Sequence, residues 1–105
     1  MAEQNAPGIR QMVLIAGRKQ KDKLVKALCE NGGHFFNICY GRGSVKARFL
    51  MDAFGLVPEE NKVLITFLLS EQKVSTIFDL LINDFQFDKP NTGIAYTIPV
   101  EKLSF

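Results

Sequence analysis

Residues 62–69 read KVLITFLL, and six of these eight positions are large and apolar. A run this short, rich in β-branched and aromatic residues, preceded by Pro58-Glu59-Glu60-Asn61 and closed by Ser70, predicts a strand. Alternation places Val63, Ile65, Phe67 and Leu69 on one side, with Leu64 and Leu68 on the other beside Thr66. The strand is therefore apolar on both faces. That property constrains everything around it.

The same pattern occurs earlier, in MVLIA at 12–16, where Met12 and Leu14 oppose Val13 and Ile15 and Gly17 closes the run. Between the two lie a helix and a further strand. Leu24, Ala27 and Leu28 share one helical face with Val25 on its flank, and Asn31-Gly32-Gly33 is a helix stop. HFFNICY, 34–40, predicts a strand with Phe36, Ile38 and Tyr40 on one face. Beyond residue 69, Ser70 caps a second helix whose stripe is Val74, Ile77, Phe78, Leu81 and Phe85. DKPNTG then leads into IAYTIPV, 94–100, where Ile94, Tyr96, Ile98 and Val100 alternate with smaller residues. Residues 41–61 are irregular, with SVKARFLMDAFG (44–55) offering a short helix from Ser44 to Gly55. Residues 1–10 lack a pattern and are expected to be a flexible N-terminal tail, leaving 11–105 as a single domain.

The order βαββαβ predicts an α+β fold, the ferredoxin-like sandwich, with an antiparallel sheet and two helices on one face. In that topology the first and third strands are central, and here they are the most uniformly apolar. Pro99, which cannot donate to a ladder, suits the edge position of the last strand. Helices can cover only one face of such a sheet. Burying one large apolar side chain is worth about 1.5–3 kcal/mol. Leaving four of them wet forgoes about 6–12 kcal/mol, as much as a whole domain's stability. Other copies of the chain are therefore expected on the second face.

The totals bound the function. A chain of 105 residues supports one core, and a net charge of +2 is too small to imply nucleic acid. Cys29 and Cys39 have no CxxC spacing and no secretory leader precedes them, so they read as free buried thiols in a reducing cytoplasm, Cys29 within the core. The apolar runs are too short for a membrane span. His34 stands alone, without partners at metal-ligand spacing. Asp52, Glu59, Glu60, Asp79, Asp84 and Asp88 are scattered and suggest no acid–base pair. The phenylalanines at 35, 36, 49, 54, 67 and 78 read as core or interface, since the third strand lacks the aromatic-and-glycine pattern of an RNA platform. An acylphosphatase shares this topology, and Arg18 and Asn37 sit at suggestive places, but its glycine-rich motif is missing.

The remaining feature is CYGRGSVKARF, 39–49, where Gly41 and Gly43 enclose Arg42, with Lys46 and Arg48 close behind. On its residues it is either a solvated basic turn or a loop on which backbone and cations hold an anion.

Three stretches, NICYGRGS (37–44), NKVLITFLL (61–69) and PNTGIAYTIPV (90–100), resemble the PII-type nitrogen regulatory proteins. The nearer match is the PII-like branch with a shortened loop after the second strand, over roughly Met12 to Val100. The resemblance implies a cytoplasmic homotrimer with sheets facing inward. It implies no required cofactor and no catalysis, with an adenine nucleotide (AMP, ADP or ATP) or another small anion bound in clefts between subunits. Gly41, Arg42 and Gly43 match the base of the long loop, Lys62 a family lysine at the start of the third strand, and Asn91, Thr92 and Gly93 the loop that wraps phosphates. Ser44, Lys46 and Arg48 fall in the partner-docking loop. The regulated protein would be an enzyme, a transporter or a transcription factor. The chain departs from the family where ATP binders carry a lysine before the last strand and an arginine pair beyond it, leaving only Lys102 nearby. It also has no tyrosine between Gly43 and Asn61 to accept a uridylyl group. These departures favour a ligand with fewer phosphates, or the alternative of an interaction trimer that has lost nucleotide binding.

Overall fold

The computed structural model describes residues 3–5, 8–42, 61–89 and 92–104. In chain order the elements are β1 (Glu3–Asn5), β2 (Ile9–Gly17), α1 (Lys21–Glu30), β3 (His34–Arg42), β4 (Asn61–Ser70), α2 (Val74–Phe85), β5 (Gly93–Pro99) and β6 (Lys102–Ser104). Short 3-10 turns, Arg18–Gln20 and Glu71–Lys73, lead into the two helices.

The main sheet is antiparallel with strand order β3-β4-β2-β5, the ferredoxin-like arrangement expected from the sequence. The two most apolar strands are central, and Pro99 lies opposite Arg10 on the edge strand β5. The β2–β4 ladder pairs Met12 with Phe67, Leu14 with Ile65 and Ala16 with Val63. All six are buried, and Leu24 and Leu28 of α1 and Ile77 and Leu81 of α2 complete the core on that face. Val25, Val74, Phe78 and Phe85 pack around it. The helical stripes read from the sequence are the stripes that pack.

The helix ends follow local chemistry. Ser70 accepts a hydrogen bond from the Gln72 amide at 3.3 Å, and so caps the entry to α2. α1 stops where Gly32 takes a φ of 99°, and the Gly33 amide donates back to the Leu28 carbonyl at 2.9 Å. Gln86 turns left-handed at the end of α2, with the Phe87 amide donating to the Leu81 carbonyl at 3.0 Å. Phe87 then covers Gly93 so closely that a Cβ there would lie 2.5 Å from its ring.

Several features differ from the sequence reading. Glu3–Asn5 pairs with Lys102–Ser104 in a separate two-stranded sheet, and β2 already begins at Ile9, so the stretch expected as a tail contains paired backbone. Each of those two strands is three residues long and mostly polar, which leaves no periodic signal. Cys29 and Cys39 are exposed free thiols, not buried ones. Cys29 follows the buried Leu28 and falls off the core stripe, and Cys39 lies opposite Leu64 on the sheet face that the helices leave open. The short helix expected at 44–55, with Phe49 and Phe54, lies outside the described residues.

The start of β3 is irregular. The register shifts between His34 and Asn37, and Phe35 there has a φ of 57° with 84% of its surface exposed. The shift lets Phe36 turn inward and stack on Phe67, centroids 4.9 Å apart. Gly33 makes room for that stack: a Cβ there would lie 2.8 Å from the Phe36 ring and 3.0 Å from both the Leu28 carbonyl and Phe67. A left-handed aromatic residue is strained by about 1–2 kcal/mol, a strain that asparagine largely avoids. Phe35→Asn is therefore expected to raise stability by about 1 kcal/mol, or about 4–8 °C in melting temperature. Gly33→Ala should lower it by about 1–3 kcal/mol through overpacking. Thermal melts of the two variants, moving in opposite directions, check both.

Candidate functional site

Three strands end together at one edge of the sheet. Lys62 opens β4, and the ladders place Gly17 opposite it on β2 and Gly41 opposite it on β3. Residues directly opposite in an antiparallel pair share a face. Gly17, Lys62 and Gly41 therefore form one row, on the face away from the helices that also carries Ile15, Leu64 and Cys39. Arg42 pairs with Asn61 one step further out, and Gly93 pairs with Ala16 one step further in. Thr92 precedes that last pair by one residue.

Of the residues singled out from the sequence, Gly41, the Arg42 backbone, Lys62, Thr92 and Gly93 thus reach the same end of the sheet. Gly43, Ser44, Lys46, Arg48 and Asn91 lie outside the described residues. Lys62 is 8% exposed, a charged residue otherwise enclosed, and it takes part in an interaction of its own. The glycines divide. Gly93 is demanded by the Phe87 ring, whereas a Cβ on Gly41 or Gly17 would meet no described atom within 4 Å.

The sequence reading missed a cationic group at the same end of the sheet, on the helix-covered face where Tyr40 pairs with Val63. Tyr40 is half exposed, and the Arg18 guanidinium stacks over its ring at 4.8 Å from the centroid. Lys21 bonds Asp22 at 3.1 Å. That bond, and then a hydrogen bond to Tyr40, hold the Lys21 ammonium above its ordinary value of 10.5. Arg18 and Lys21 thus bring positive charge to Tyr40, on the opposite face of the sheet from Gly41 and Lys62. The signal was the basic RKQK run after Gly17; only the pairing of β3 against β4 shows where it lands.

On the helix side, a cavity of about 330 Å³ is lined by Gln20 and Lys23 from the start of α1, Asp84, Phe85 and Gln86 from the end of α2, and Thr92. The Gln20 side-chain oxygen is buried without a hydrogen-bond partner among described residues. No group of three or more metal-ligating side chains occurs among the described residues. Nor is any described helix long and apolar enough to cross a membrane.

No family model and no curated protein matches the sequence. Solved structures do match its fold. CPII of Thiomonas intermedia, a nitrogen regulatory PII-like protein, is 17% identical in its apo form, with 97% of this chain and 95% of that chain covered and a TM-score of 0.69. The same protein bound to ADP, AMP and bicarbonate matches at 12% identity over 99% and 98% of the chains, with a TM-score of 0.65. PII of Arabidopsis thaliana bound to citrate matches at 16% identity over 90% and 78%, with a TM-score of 0.64. CutA of Synechococcus elongatus, complexed with Bis-Tris, is 10% identical over 98% and 90%, with a TM-score of 0.72. Identities of 10–17% carry the fold alone, and on that ground the chain has the fold of the PII-like signalling proteins.

Proposed function

We propose that this protein is a PII-like regulator: a non-catalytic cytoplasmic homotrimer that binds an adenine nucleotide or another small anion between subunits and acts on a partner protein in nitrogen or related metabolism. The observation that carries the reading is the gathering of Gly41, Arg42, Lys62 and Thr92 at one end of the sheet, from positions up to 51 residues apart in sequence. These are the positions that the resemblance assigns to the nucleotide cleft. An enclosed lysine and open glycine backbone are the chemistry that a phosphate or carboxylate needs. Neighbours of this fold hold ADP, AMP, bicarbonate or citrate, which supports an anionic effector. Gly43 and Asn91 complete the proposed site, and Ser44, Lys46 and Arg48 form the proposed docking loop.

The trimer is supported by the sheet face opposite the helices. Leu64 on β4 and Tyr96 and Ile98 on β5 are exposed there. A contiguous apolar face of this kind marks an interface, and copies packed sheet to sheet would cover it.

The second reading is an interaction trimer without a nucleotide. It is favoured by the absence of the family's lysine at 90–93 and of an arginine pair beyond β5. Ligand binding separates the two. Light scattering is expected to give the mass of a trimer, and Leu64→Asp the mass of a monomer. A melt with AMP, ADP or ATP at 100 times its dissociation constant should gain about 2.7 kcal/mol per site. Calorimetry should show Arg42→Ala weakening that binding more than Lys46→Ala, since a guanidinium grips a phosphate with two parallel hydrogen bonds. No shift with any nucleotide, nor with bicarbonate or 2-oxoglutarate, would leave the interaction trimer as the function.

A further inference from the structure

Gly17 has a counterpart within the same chain. The unit β2–3-10 turn–α1 is repeated as β4–3-10 turn–α2, and the residue that joins strand to turn is Gly17 in the first and Ser70 in the second. Their backbones coincide: Gly17 has φ −65° and ψ 138°, and Ser70 has φ −68° and ψ 140°. Ser70 uses its side chain to accept the Gln72 amide, while Gly17 caps nothing. This backbone therefore accepts a side chain and gains a hydrogen bond from one. No φ in the left-handed region and no described neighbour within 4 Å demands glycine at 17. Glycine in a strand is a cost in backbone entropy with nothing in the fold to offset it.

The described residues supply no reason for it, and the row it belongs to indicates where one lies. Gly17 stands directly opposite the enclosed Lys62, with Gly41 on the far side. A side chain at 17 would rise on the same face as the lysine and close that side of the row. We infer that Gly17 is a ligand-contacting residue: its bare backbone lets the phosphate group of a nucleotide approach Lys62 from the β2 side, as Gly41 does from β3. The inference rests on the nucleotide-binding reading above and extends that site across the sheet, to a strand that carries no recognisable motif.

The test compares the full-length wild type with Gly17→Ser and Gly17→Ala by unliganded melting, light scattering, and calorimetric titration with AMP, ADP and ATP. Both variants are expected to melt at or slightly above the wild-type temperature and to keep its mass. Affinity for the nucleotide that the wild type binds should fall by about tenfold or more, the scale of one lost charge-assisted contact. Wild-type affinity in both variants would overturn the inference and leave the regulator reading intact. Loss of the assembled mass in the variants would also overturn it, by assigning the open space to a neighbouring copy. A wild type that binds none of the three nucleotides would remove the nucleotide-binding reading and this inference together.

Discussion

The ladder between β2 and β4, running from Ile9–Ser70 to Gly17–Lys62, is the constraint from which the rest follows. In a strand the side-chain period is two, so sliding one partner by a single residue would exchange the two faces of the sheet. In the observed register, Met12, Leu14 and Ala16 meet Phe67, Ile65 and Val63 beneath the helices. The same count, carried to the last pair, sets Gly17 beside Lys62 at the rim. Core and candidate site are two consequences of one alignment. A change that relaxed the register to suit a ligand would also turn the core residues toward water.

The alignment was legible because both strands are apolar on both sides. KVLITFLL and MVLIA cannot be placed at the edge of a sheet or on a solvated face without large loss, so they had to be central. The helices were legible from Leu24 and Leu28 and from the longer stripe that includes Ile77 and Leu81. What escaped has a local cause in each case. β1 and β6 are held by backbone pairing of three residues each, and backbone bonds leave no mark on residue choice. Phe35 and Phe36 are identical letters with opposite fates, one 84% exposed and one stacked on Phe67. Only the register shift decides between them, and that shift is set by space above Gly33. The two cysteines were misplaced because a small apolar residue satisfies either environment, and the face each occupies depends on a neighbour one position away.

The site was legible where glycine and charge sit in one stretch, as in Gly41 and Arg42, and where a strand begins with a lysine. It was not legible where the partners come from distant strands. Arg18 reaches Tyr40, and Gly17 reaches Lys62, only through the pairing of β2, β4 and β3. Glycine is the hardest case, since its role is read from what surrounds it. Gly93 and Gly41 look equivalent in sequence, yet one is explained by the Phe87 ring and the other by nothing among the described residues.

This placement also governs how a bound anion could act at a distance. Arg42 and Asn61, which flank residues 43–60 in sequence, are partners in the β3–β4 ladder. A ligand held against Gly41 and Lys62 therefore touches both roots of that loop at once. It shifts the loop only if it binds one arrangement of the roots more tightly than another. Fixed charge alone gives no such preference. Any discrimination must then come from geometry: how far the backbone at Gly41 has to move for phosphate oxygens to reach its amides. A glycine-flanked lysine allows that movement without disturbing Ile65 or Leu14, both three residues into the sheet, where the core is closed.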